Sequence, residues 1–178
     1  VPAGTKITVA GVDANTSLEI WGFGKGNLID GSTGNMYTNE STGAGTTVFS
    51  DAIITLDLGK TYMVDQFKYF SYAAGDQGRP SNIIIEASTD GTTWVEAYKN
   101  ENVPLTTVAD SIEYAFAFTA VEAQYIRLTV KAVAANYDLG NCVCLRELEV
   151  YGTEVGAEVI PTEPVAPPTE APTEAPTE

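Results

Sequence analysis

The chain of 178 residues carries 9 basic against 24 acidic side chains, a formal net charge of −15. That length suits one domain whose core removes roughly 70% of the unfolded surface from water, and that charge repels phosphate backbones and anionic bilayers, which excludes nucleic acid and acidic membranes as partners. The absence of histidine removes Ser-His-Asp triads, Cys-His dyads and His-ligated zinc together. Paired carboxylates remain as a route to glycoside cleavage, but 24 acidic residues supply such pairs by chance, so no enzyme is expected. No apolar run approaches the ~20 residues that span a bilayer, and neither a signal peptide nor an initiator Met opens the chain, so the expectation is a mature fragment without membrane insertion.

Short runs rich in β-branched and aromatic residues, cut by Gly, Asp and Asn, predict strands over 5–12 (TKITVAGV), 52–60 (AIITLDLGK), 66–72 (QFKYFSY), 82–88 (NIIIEAS), 93–98 (TWVEAY), 111–118 (SIEYAFAF), 124–133 (QYIRLTVKAV) and 145–152 (LRELEVYG). In the second run Ile54, Leu56 and Leu58 alternate with Thr55 and Asp57, the period-two mark of one buried face. Between the first two runs, residues 27–37 (NLIDGSTGNMY) place five oxygen-bearing side chains and two Gly behind a short apolar pair, which suits either a plain Asp-Gly turn or a metal loop. Asp90-Gly91 within STDGTTW is a hairpin signal, because Gly accepts positive φ. No amphipathic helix longer than about two turns is evident, and about eight such strands make an all-β antiparallel sandwich.

Cys142 and Cys144 are the only cysteines. Two residues apart on an extended strand, their Cβ atoms would lie roughly 6.6 Å apart, whereas a disulfide needs about 3.8 Å, so they are expected to be unbridged and to serve packing. From residue 154 the composition shifts, and residues 161–178 become a period-four Pro-Thr-Glu repeat without aromatic or basic side chains. Such a segment cannot offset its ordering entropy by burial and favours polyproline II geometry, so the reading is a domain over 1–153 and a disordered, semi-rigid linker over 154–178 that tethers it to further domains. Threonine beside proline suits O-glycosylation and an extracellular, secreted or cell-surface setting.

The order NLIDG, LDLGK, STDGTTW, YIRLTV and ELEVYG, spread over about residues 5–152, resembles the discoidin family, also called coagulation factor 5/8 type C domains, and most closely the bacterial carbohydrate-binding modules of family 32. The resemblance implies a galactose-binding-domain-like jelly roll with a structural Ca2+ and a ligand site among the loops at one end. The calcium loop it implies takes side chains from Asp30, Asn35 and Glu147 and carbonyls from Asn27, Ser32 and Arg146. Asn35 stands where Thr is usual in that family, Tyr37 where Trp is usual, and Ser32 where many relatives carry a second Asp or Asn.

Sugars offer flat faces of C–H bonds that stack on exposed rings, with amides, carboxylates or Arg reading their hydroxyls. The rings in loop-like stretches are Trp21, Tyr72 and Tyr137, and the polar groups near them are Asp76, Gln77, Arg79 and Asn141. Trp94, inside a strand motif, is expected to pack, and Arg127 of YIRL to serve the framework. Galactose-binding relatives use a His and an Arg; no His exists here, Tyr72 stands near the Arg position, and Arg79 is the nearest replacement. The expected function is a noncatalytic carbohydrate-binding module of a larger extracellular bacterial protein, binding the terminal sugar of a polysaccharide or glycoprotein weakly. The alternative from another class is a protein-interaction or structural spacer module.

Overall fold

The computed structural model describes residues 4–19, 22–39, 50–72, 78–104, 111–134 and 142–156, with the side chains of 111 and 112 excepted. Eight strands are present among them: β1 Thr5–Ile7, β2 Gly11–Ala14, β3 Tyr37–Thr38, β4 Ala52–Tyr72, β5 Pro80–Ser88, β6 Val95–Asn100, β7 Ser111–Val133 and β8 Cys144–Glu154, with a 3-10 turn at Lys25–Leu28. All pairings are antiparallel, in the order β1-β8-β4-β7-β5-β6, with β2 added to β4 and β3 to β8.

β4 has 21 residues and β7 has 23. Straight strands of that length would reach roughly 70 Å at about 3.3 Å per residue, far beyond the ~30 Å of a small domain. They bend instead. The β4–β7 register jumps from Asp57↔Tyr125 to Tyr62↔Ala123, and Gly59 takes φ +76° at the corner, where its N–H donates to Asp57 Oδ1 at 2.8 Å. The first half of β4 and the second half of β7 therefore join β2, β5 and β6 in one layer. The remaining halves join β1, β8 and β3 in the other, which gives a sandwich.

Two of the expected strand pairs, 52–60 with 66–72 and 111–118 with 124–133, are thus single bent strands, and the expected strand 5–12 is two, pairing with β8 and β4 respectively. Ile54, Leu56 and Leu58 are buried, in line with the alternation. Beyond the corner the buried set moves from the even position Val64 to the odd positions Phe67 and Tyr69, because Asp65 is an extra residue in the β4–β8 ladder, and a one-residue slip exchanges the two faces. The bulged Asp65 carboxylate accepts the Gly4 N–H. Facing layers meet in one apolar cluster, where Tyr98 of β6 lies 5.2 Å from Phe116 between ring centroids, and within one layer Tyr69 lies 4.9 Å from its register partner Tyr114.

On the outer face Arg127 stands opposite Glu86 in register, bonds it at 2.7 Å, and lies 4.1 Å over the Trp94 ring. Both Arg127 and Trp94 serve the framework. The Asp90-Gly91 turn follows β5, with Gly91 at φ +73° and Asp90 accepting the N–H groups of Thr92 and Thr93 at 2.7 Å. At the same end Val155 N–H donates to the Thr61 carbonyl at 3.3 Å.

Gly152 sits where three strands approach closely: a Cβ there would come within 2.3 Å of the Met63 carbonyl oxygen, a backbone atom that cannot rotate away. Gly152→Ala should therefore destabilise the fold by about 1–3 kcal/mol, read as a lower urea midpoint. An unchanged midpoint would show that β4 and β8 can part at no cost.

Candidate functional site

Antiparallel register gathers one set of strand ends. Ala14 pairs with Ile54, Pro80 with Val133, Tyr72 with Ser111, and Cys144 with Thr38, while cross-loop bonds run from Ala134 N–H to Arg79 O and from Cys144 N–H to Gly78 O, both at 2.9 Å. The segments between these ends leave from the side of the sandwich opposite the Asp57–Tyr62 corner. Loops held at one end of a rigid scaffold are where binding groups usually reside.

The stretch over residues 27–37 is ordered by its own polar groups. Leu28 is buried as its anchor, and the Asn27 side-chain amide donates to the carbonyls of Gly22 at 2.7 Å and Met36 at 2.8 Å. Asp30 Oδ1 accepts the Ser32 N–H at 2.8 Å and Oδ2 accepts the Asn35 amide at 2.5 Å, while Ser32 Oγ accepts the Gly34 N–H at 3.0 Å. Gly31, at φ +77°, donates its N–H to Glu147 Oε2 at 3.2 Å, which ties this loop to β8 across 116 positions of sequence. Arg146 reaches back from β8 to the Thr33 carbonyl at 2.5 Å. A second bulge enables this: Phe70 pairs with Glu147 and Ser71 with Leu145, so Arg146 has no Cα partner in β4.

Asn27, Asp30, Ser32, Asn35, Arg146 and Glu147 are thus brought into one neighbourhood. Glu147 is 4% exposed and faces a cleft of about 260 Å³ lined by Lys6, Ile7, Val9, Ile29 and Gly31. Burial pushes its carboxyl from 4.5 up to about 7; the Gly31 N–H and the Lys6 charge pull it down, and Asp30 and Glu149 push it up. Lys6 is itself engaged with Glu149 at 2.6 Å. A buried carboxylate beside a second acid, in a loop of amide and carbonyl oxygens, is a donor set that fits a hard cation such as calcium. No group of three or more His, Cys, Asp or Glu side chains that could hold a metal occurs among the described residues, so a cation here would also draw on amide and carbonyl oxygens.

Of the expected sugar-contacting residues, Tyr72 ends β4 with its ring 5.2 Å beneath the Arg146 guanidinium. Arg79 is 1% exposed, buried rather than at the surface, and its Nε donates to the Tyr72 carbonyl at 3.3 Å. Trp21, Asp76, Gln77, Tyr137 and Asn141 lie outside the described residues. Cys142 and Cys144 are free, buried, and 3.8 Å apart at sulfur. They approach more closely than two positions of one strand would allow because only Cys144 belongs to β8. The contact with Cys142 and burial both push the Cys144 thiol up.

A second cavity, of about 330 Å³, opens at the loop end between Thr16, Ser17, Leu18 and Asn39. Asn39 is 3% exposed, with Oδ1 accepting the Val143 N–H at 2.8 Å, and the neighbouring Thr38 hydroxyl is buried without a partner among the described residues. Ser17 Oγ donates to Glu19 Oε1 at 2.8 Å and accepts the Lys25 N–H at 2.9 Å. Sequence patterning did not single out these residues. Their only mark is a run of hydroxyl and amide side chains directly after a strand.

A model of the F5/8 type C domain matches residues 11–147. No curated protein matches the chain. Among solved structures, the third family 32 carbohydrate-binding module of a family 31 glycoside hydrolase from Clostridium perfringens is similar with a TM-score of 0.69 and 20% identity, over 83% of this chain and 95% of that one. CpGH89CBM32-5 from Clostridium perfringens, in complex with GalNAc-β-1,3-galactose, gives 0.65 and 18% over 83% and 100%. A mutant of chitosan-binding module 1 from a chitosanase/glucanase of Paenibacillus sp. IK-5 gives 0.61 and 23% over 84% and 99%.

The raised Glu147 carboxyl carries a pH signature. Its folded value lies above the ordinary 4.5, so its contribution to stability is fully present below about 4.5 and is lost as pH rises through about 7. In chelator, the melting temperature should fall over that window, and Glu147→Gln should flatten the fall. A wild-type Tm that does not change between pH 4.5 and about 7 would mean that Glu147 is not desolvated.

Proposed function

The chain belongs to the F5/8 type C domain family, and on that premise we propose that it is a noncatalytic carbohydrate-binding module, contacting the terminal sugar of a glycan with groups at the loop end of the sandwich. The observation that carries this reading is the cavity whose described lining offers the hydroxyl and amide groups of Thr16, Ser17 and Asn39, at the same end as the Tyr72 ring and its guanidinium cover. Hydroxyls and amides exchange hydrogen bonds with sugar hydroxyls, and rings take up their C–H faces. Solved domains of similar fold, one of them holding GalNAc-β-1,3-galactose and another described as chitosan-binding, support it.

A few ring contacts of about 0.5–1.5 kcal/mol each, with hydrogen bonds that largely replace those to water, leave roughly 4–6 kcal/mol, or a Kd of about 0.04–1 mM. The Pro-Thr-Glu segment over residues 161–178 serves as an extracellular spacer that links the module to further domains. Tethering raises effective concentration, so weak single sites suffice. A glycan array probed with the full chain should show such weak binding, and Asn39→Ala and Tyr72→Ala should each reduce any hit several-fold. Silence across a broad array at high protein concentration would favour an interaction or spacer module instead.

We propose also that calcium occupies the loop at Asp30, held by side-chain oxygens of Asp30, Asn35 and Glu147 and by carbonyls of Asn27, Ser32 and Arg146. Its chemistry there is charge neutralisation and cross-linking. The support is the buried position of Glu147 next to Asp30, with the nearby Lys6 engaged by Glu149. A ligand that binds only the folded state stabilises it by mass action, about 2.7 kcal/mol at a hundredfold excess over Kd. Calcium should raise the Tm of the wild type and leave that of Glu147→Ala where it was; equal melting curves with calcium and with chelator would remove the site.

A further inference from the structure

Resting on the carbohydrate reading above, we infer that the glycan this module accepts carries no acidic group, and that an amine-bearing sugar is held at least as well as its neutral counterpart. The chain's positive charge is already placed away from the cavity. All nine Lys and Arg residues lie among the described residues.

Among the described residues, seven of the nine are seen paired with carboxylates. Lys6 bonds Glu149 at 2.6 Å, Lys25 bonds Asp13 at 2.8 Å, Lys60 bonds Glu154 at 2.6 Å and Lys68 bonds Glu113 at 2.7 Å. Lys99 bonds Glu101 at 2.6 Å, Arg127 bonds Glu86 at 2.7 Å, and Lys131 pairs with Asp51. The two others are both at the loop end. Arg79 is 1% exposed with Nε on the Tyr72 carbonyl. Arg146 has its Nη1 on the Thr33 carbonyl, one face on the Tyr72 ring, and its Nε buried away from solvent. Two adjacent N–H groups are what a guanidinium uses to clamp a carboxylate, and the side-on pair of Arg146 is closed, because its Nε is enclosed and its Nη1 is held by the Thr33 carbonyl.

The cavity at Thr16, Ser17, Leu18 and Asn39 holds about 330 Å³, at the lower end of small-molecule sites, which run from roughly 300 to 1,000 Å³. Its described lining is uncharged. Among the described residues the charge at its edge is negative: Glu19, exposed, accepts the Ser17 hydroxyl at 2.8 Å and the Lys25 N–H at 3.4 Å, while the Lys25 ammonium is turned to Asp13. A uronate or sialate carboxylate entering there would meet Glu19 and the field of a chain at −15, with no Lys or Arg in the lining of the cavity to offset them. An ammonium group would meet the opposite.

The test is isothermal titration of the full chain with three oligosaccharides of equal length: glucosamine, N-acetylglucosamine and galacturonate tetramers, at low and at roughly 0.5 M salt as two extremes of screening. Glucosamine should bind as tightly as the neutral tetramer or more tightly at low salt and lose any advantage at high salt, while galacturonate should show no measurable binding. Glu19→Gln, which keeps the Ser17 hydrogen bond, should shrink the glucosamine-to-neutral preference by up to about fivefold, the scale of one exposed ion pair. Galacturonate binding on a par with the neutral tetramer, or glucosamine weaker than neutral, would overturn the inference and leave the carbohydrate reading in place. Failure of all three tetramers to bind would overturn both.

Discussion

Everything at the loop end depends on the corner that β4 and β7 turn together. Strands of 21 and 23 residues are too long to lie straight in a domain of this size, so each contributes to both layers, and the pair of bends holds the layers in a fixed offset. Because both strands fold back at Asp57–Tyr62, the start and finish of β4, the start and finish of β7, and the neighbouring ends of β2, β5 and β8 all come to one side. A backbone constraint at one pole therefore decides which side chains can be neighbours at the other. Gly59 with positive φ permits the turn, and the Asp57 carboxylate that accepts its N–H holds it.

The two bulges refine that frame. Asp65 shifts the phase of β4 by one residue, which lets Val64, Phe67 and Tyr69 all point inward on either side of it, and its carboxylate takes the Gly4 N–H ahead of β1. Arg146 does the same near the other end of β8, where the extra residue turns the guanidinium towards Thr33 and Tyr72 while Glu147 remains buried against Gly31. Both irregularities convert ladder positions into ties between distant segments. A regular ladder would have left Arg146 paired in register like its neighbours.

The buried faces were legible in the sequence wherever alternation was unbroken, as at Ile54, Leu56 and Leu58. It did not reveal that 52–60 and 66–72 are one strand, because Gly59-Lys60 reads as a terminator in local propensity while the hydrogen-bonded ladder carries through it. β3, two residues long, is too short for any period to register. The meeting of Asp30 and Glu147, far apart in the chain, could come only from family resemblance, since no local pattern encodes so distant a contact. Arg79 illustrates the opposite difficulty: arginine is seldom fully enclosed, so composition argues for the surface, and only the packing of Tyr72 and its neighbours places it inside. Thr16, Ser17 and Asn39 carried no signal beyond polarity because a cavity is made by the separation of segments, here 16–18 from 39, which sequence spacing does not contain.

The hydrogen bond from Val155 to Thr61 and the hold of Asp65 on Gly4 lie at the corner pole, on the side of the sandwich away from the loops. The first and last described segments are thus held behind the sandwich rather than beside its cavity. The loop end and its cavity lie at the pole opposite Gly4 and Val155.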